Sequence, residues 1–99
     1  MTEALPKITE AEFMAQIVQL AAMHCWMIYH THDSRNSPSG FPDLFLVRGR
    51  VLIAAELKRS PKEKPTLDQK RWLAALNLAG VNCFLWTPAD WPEIEKVLA

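Results

Sequence analysis

GFPDLFLVRGRVLIAAELK, residues 40 to 58, places two apolar runs on either side of Gly49-Arg50 and ends each run in a carboxylate. A two-residue loop with glycine first reads as a type II′ hairpin turn, because glycine supplies the positive φ that an L side chain resists. Such a loop sets Arg48 against Val51 and Asp43 directly against Glu56. Opposed residues share a face with Cβ atoms about 5 Å apart, where like charges repel. Lys58, two residues beyond Glu56, points the same way. Val51, Ile53, Ala55 and Leu57 take the other face and are expected to form core. Two carboxylates in so small a space persist if a cation lies between them, and oxygen ligands with open water positions suit Mg²⁺. The other reading left open by the spacing is an exposed strand end where Lys58 pairs with Glu56 and no metal binds.

Outward from the hairpin, the 99 residues suffice for one domain spanning 1–99, and 49% are hydrophobic against 22% charged. That balance points to a globular chain without low-complexity segments. No apolar run approaches a membrane span, and MTEALPKITE lacks the basic and apolar regions of a signal peptide, so a cytoplasmic location is expected. Cys25 and Cys83 form no CxxC and are expected to be buried free thiols. Formal net charge is zero, but Arg48 to Arg71 holds eight lysines and arginines against three acids, a local +5 offset by −5 elsewhere. A basic block on a neutral chain suggests a polyanion partner.

Thr9 and Glu12 fit a capping box for a helix through ITEAEFMAQIVQLAAMHC, with Phe13, Met14, Ile17, Leu20, Ala21 and His24 recurring at helical spacing. WMIYHT (26–31) reads as a strand, 32–40 as a loop and 60–65 as a second loop. Thr66 caps a helix to about Ala79, with Gly80 after it. VNCFLWT (81–87) is a strand, and DWPEIEKVLA a closing helix with Asp90 and Glu93 as its capping box. The order is α-β-β-β-α-β-α, an α/β domain with a small mixed four-stranded sheet flanked by helices. Two polar residues head apolar helix stripes: Glu10 before Phe13, Met14 and Ile17, and Gln69 before Trp72, Leu73 and Leu76. Gln69 also completes a capping box with Thr66.

GFPD, a 12-residue gap, ELK, then TLDQ at a helix start resemble the PD-(D/E)XK nucleases, and among them the VRR-NUC domain, the virus-type replication-repair nuclease. The resemblance covers nearly the whole chain and implies a restriction-endonuclease-like core. It implies Asp43, Glu56 and the Leu57 backbone carbonyl as metal ligands, with Glu10 joining directly or through water. Lys58 would act on the attacking water and the developing phosphate charge, and Gln69 would position Lys58 or the phosphate. Met14 departs from the pattern, where a second helical glutamine is expected.

YHTHD (29–33) suggests His30 and His32 as zinc ligands, but the spacing of the HxHxDH hydrolases is not met. His30, Ser34, Arg35, Arg59, Lys62 and Lys64 are candidate nucleic-acid contacts, and the four tryptophans are expected in the core. The function expected is a Mg²⁺-dependent DNA endonuclease, with Mn²⁺ as substitute, acting on branched or Holliday-junction DNA as a standalone, phage-type homodimer in a bacterial cell. Its rivals are an inactive nuclease-fold DNA-binding module and a protein-interaction subunit. The apolar residues expected at a dimer interface are Met23, Trp26, Met27, Trp91, Ile94, Val97 and Leu98.

Overall fold

The computed structural model describes residues 8–31 and 37–99. Thr9 opens helix α1 (Glu10–Met23) with the expected reciprocal cap: its hydroxyl accepts from the Glu12 N–H at 3.0 Å, and the Glu12 carboxylate accepts from the Thr9 N–H at 3.1 Å. Helical spacing brings Phe13, Ile17 and Ala21 to one stripe, each fully buried. The helix closes in a Schellman pattern, the Trp26 N–H donating to the Ala21 carbonyl at 3.1 Å and the Cys25 N–H to that of Ala22 at 3.2 Å. Cys25 takes the left-handed position usually given to glycine, at φ +66°, which leaves its thiol exposed rather than buried. Cys83 is half-buried.

Strands β1 (Met27–His30), β2 (Leu44–Arg48), β3 (Val51–Leu57) and β4 (Asn82–Trp86) lie in that order across one sheet. The first three pair antiparallel, and β4 runs parallel to β3. Antiparallel neighbours need only a turn, whereas a parallel pair needs a crossover, which α2 (Leu67–Leu78) supplies. Gly49 has φ +60° while Arg50 has no positive φ, as a type II′ turn requires, and Leu44 to Arg48 pair with Ala55 to Val51 in the expected register. The element order is the one expected.

Leu44, Leu46, Ile53, Ala55, Leu57 and Trp86 form one face of the sheet and pack beneath α1 and the closing helix α3 (Trp91–Leu98). Fully burying each such large apolar side chain contributes about 1.5–3 kcal/mol. Val51 is a correction: it is 41% exposed, because the turn end of β3 overhangs the helices that cover the strand's later residues. The opposite face lies under α2, which buries none of its own residues completely. There Met27, Tyr29 and Val47 are 75%, 60% and 40% exposed.

Two further expectations are corrected. Asp90 does not share a capping box with Glu93; its carboxylate accepts from the Thr87 N–H at 2.8 Å and the Thr87 hydroxyl at 3.1 Å, closing a short 3-10 turn before α3. Ile94, Leu98 and Trp26 belong to the core, and Trp91 and Val97 pack against it, so of the residues expected at an interface only Met23 and Met27 stand exposed. Among the described residues no helix is long and apolar enough to cross a membrane.

Arg48 leaves the basic block altogether. Its guanidinium donates to the His24, Leu98 and Ala99 carbonyls at 2.9, 3.2 and 3.0 Å and lies 4.4 Å over the Trp26 ring. A cation at the C-terminal ends of α1 and α3 meets the negative ends of both helix dipoles. Arg48 and Arg50 therefore sit at the turn end of the hairpin, away from its carboxylates.

Candidate active site

Asp43 precedes β2 and Glu56 lies near the end of β3, one pair beyond Leu44 and Ala55. The backbone carrying Asp43 is pinned from β1: the Thr31 N–H donates to the Asp43 carbonyl at 3.0 Å, and the Thr31 hydroxyl to the Pro42 carbonyl at 3.1 Å. Its side chain is fixed from β3, where the Leu57 N–H donates to Oδ2 at 2.9 Å. Thr31 escaped sequence reasoning because a long loop separates it from Asp43, and only a short turn fixes register.

Glu56 is 2% exposed, and its Oε1 has no hydrogen-bond partner among the described residues. Burial, the hydrogen bond with Asp43 and the negative charge of Asp43 together push its carboxyl up from 4.5 to about 9, while Lys58 pulls the other way. Glu10 is exposed as a residue, not buried as the head of a stripe: it is the first residue of α1, and the buried stripe begins a turn later at Phe13. Its carboxyl is nonetheless raised, first by partial withdrawal from water, then by Asp43, with Lys58 opposing. Asp43, Glu56, Glu10 and Lys58 thus lie within one electrostatic neighbourhood. Among the described residues, however, no three His, Cys, Asp or Glu side chains converge as a ready metal cage.

Asp43 and Glu56 open on a cavity of about 410 Å³ walled also by Thr31, Ser39, Gly40 and Gln69. Gly40 has φ +82°, and a Cβ there would overlap the backbone of Asp68 and Gln69. That close approach brings the start of α2 against the loop leading to Asp43, a role beyond the turn expected of this glycine. Gln69 completes the capping box: its Oε1 accepts from the Thr66 N–H at 2.8 Å, and its own N–H donates to the Thr66 hydroxyl at 3.2 Å. A backbone N–H must face the amide oxygen, so the amide nitrogen is the end left for the cavity. Gln69 in this state can donate from its amide nitrogen to a phosphate or carboxylate, while its oxygen, already accepting from Thr66, keeps one further lone pair.

The remaining candidates spread outward. His30 stands on β1 paired with Leu44, on the α1 face of the sheet and opposite in facing to Asp43 and Glu56. Arg59 is held by Glu63 at 2.8 Å, which offsets its charge. Lys62 and Lys64 are exposed on the loop before α2, and Lys64 lines a separate cavity with Thr87 and Asp90. Ser34 and Arg35 lie outside the described residues. Of the tryptophans, Trp86 and Trp26 are core, whereas Trp72 is only half-buried.

The donor set suits a hard divalent cation on two grounds. All its side-chain ligands are oxygens, and the orphaned Glu56 Oε1 beside Asp43 is a buried acceptor that a cation would satisfy.

No protein-family profile matches the chain, and no curated protein matches it either. Solved structures do. One described as a VRR_NUC domain protein superposes with TM-score 0.74 at 19% identity, covering 94% of this chain and 87% of that one. Another, described as a VRR_NUC domain, gives TM-score 0.74 at 20% identity over 90% of this chain and 92% of that one. At that identity the likeness speaks for the fold, and it extends over nine-tenths or more of the chain. The chain has the VRR-NUC domain fold.

Proposed function

We propose that the protein is a metal-dependent DNA endonuclease that hydrolyses phosphodiester bonds at branched or Holliday-junction DNA. The observation that carries this reading is the pairing of half-buried Asp43 with buried Glu56, whose Oε1 is orphaned, at the wall of a polar cavity. Asp43, Glu56 and the Leu57 carbonyl would hold Mg²⁺, with Mn²⁺ as substitute, and Glu10 would join through water. A bound divalent cation supplies Lewis-acid polarisation of a phosphate oxygen and a more acidic water. Lys58, whose positive charge already acts on Glu56 and Glu10, meets the negative charge that grows on the phosphate during attack. Gln69 donates its amide N–H to the substrate phosphate. Lys62 and Lys64 supply sequence-independent attraction for the backbone.

The test is to incubate purified protein with labelled junction, flap, nicked and linear DNA, with and without divalent metal. Metal-dependent cutting that Asp43→Asn abolishes without loss of DNA binding is the expected result; wild-type rates in EDTA would sink the proposal. Among the described residues no third side-chain ligand converges on the pair, which favours one other reading, a nuclease-fold module that binds DNA without cutting it. Salt-sensitive binding with no metal-dependent product is its signature. We further propose a homodimer, so that two sites face the paired strands of a junction, with Met27, Tyr29 and Val47 as the apolar surface on hand. Light scattering distinguishes it from a monomer.

A further inference from the structure

Building on that proposed function, we infer that a second cavity, between α2 and the loop at Ser39, is a subsite for one unpaired nucleotide beside the scissile phosphate. Arg71 and Ser39 take its phosphate there, and Trp72 takes its base. The cavity measures about 500 Å³ and is lined by Ser39, Asp68, Arg71, Trp72 and Ala75. The four helical residues follow a spacing of three, four and seven, which sets them on one face of α2. Ser39 also walls the carboxylate cavity, so the two spaces adjoin at that residue. A strand whose phosphate lies at Asp43 and Glu56 meets Ser39 as it leaves.

Arg71 is uncommitted among the described residues. Arg48 is spent on three carbonyls and Arg59 on Glu63, whereas Arg71 is exposed and makes no ion pair among the described residues. A guanidinium matches a phosphate through two parallel N–H groups. The Trp72 ring is braced: Phe41 meets it edge-on at 5.1 Å, and Phe41 in turn stacks on Phe45 at 5.2 Å. A braced ring gives up little freedom when a base stacks on it. Asp68, on the same wall, repels a second phosphate and can accept from base amino groups. The pocket therefore suits one phosphate and one base, not a run of backbone. A base within a continuous duplex has both faces stacked already, so the ligand is an unpaired nucleotide, as at a flap or branch.

The test is fluorescence anisotropy on flap DNA without divalent metal, over a range of salt, using the full chain. Arg71→Ala should weaken binding about tenfold and reduce the salt slope by about one. Removing the base from the unpaired nucleotide should cost the wild type about fivefold or more, and Trp72→Leu should erase that difference. Arg71 is exposed, so its variant carries the test even if Trp72→Leu fails to fold. Unchanged affinity and salt slope in Arg71→Ala, on DNA that the wild type binds and cuts, would overturn the subsite and leave the nuclease reading standing. A change in oligomeric mass in place of the slope would also overturn it, by assigning the face to a second copy. A wild type that neither binds nor cuts any of the DNAs defeats the nuclease reading itself, and the subsite with it.

Discussion

Glu56 shows what a single buried oxygen can report. With its folded pKa near 9 and its ordinary value at 4.5, the native state binds more protons than the unfolded chain between those limits. Its contribution to stability is therefore complete below about 4.5 and is lost as pH rises toward about 9. Melting in EDTA should show Tm falling across that window and Glu56→Gln flattening the fall; a pH-independent wild-type Tm would contradict the assignment. Divalent cation should raise Tm most at the alkaline end, since it replaces the proton held between the carboxyls. Gln69 offers a cleaner separation of cap from chemistry. Gln69→Glu keeps an acceptor for the Thr66 N–H but replaces the outward N–H donor with a carboxylate oxygen. Stability should stay within about 0.5 kcal/mol, as for most surface changes, while cleavage falls at least tenfold. Equal loss of both would make Gln69 a cap and nothing more.

Among the elements, the hairpin was the most legible. Gly49-Arg50 leaves one short turn, and a short turn fixes the whole register, so the opposition of Asp43 and Glu56 followed from counting. Both helix caps at Thr9 and Thr66 were legible for the same reason, since their partners lie three residues away. What spans long loops was not. The contacts of Thr31 with residues 42 and 43, the docking of Gly40 on α2 and the clamp at Arg48 each join segments whose register no local pattern sets. Arg48 was read as part of a basic block because charge is visible in a sequence while its partners, three carbonyls on distant segments, are not. Arg48→Ala should cost about 2 kcal/mol or more in urea unfolding, from charged hydrogen bonds at two helix C-termini. Arg48→Lys should recover little of it, because a point charge cannot reach all three acceptors in one plane.

At the scale of the whole molecule, the sheet is covered unequally. Beneath α1 and α3 lies a dense core, while α2 covers the other face with half-buried side chains and leaves Leu67 and Leu78 71% and 90% exposed. Few buried apolar contacts mean a low free energy of local opening. Amide hydrogen exchange should therefore find α2 opening as a separate unit, at lower free energy than α1 or β3, and slowing when DNA is bound; uniform protection across all three would refute this. Asp43 and Glu56 are mounted on the sheet that carries the dense core, whereas Gln69, Arg71 and Trp72 ride on the helix that buries none of its residues completely. One wall of the site is then an anvil and the other a hinged jaw: under the proposed function the anvil would keep the reacting groups in register, and the jaw would swing aside to release a cut strand without unfolding the half that carries the carboxylates.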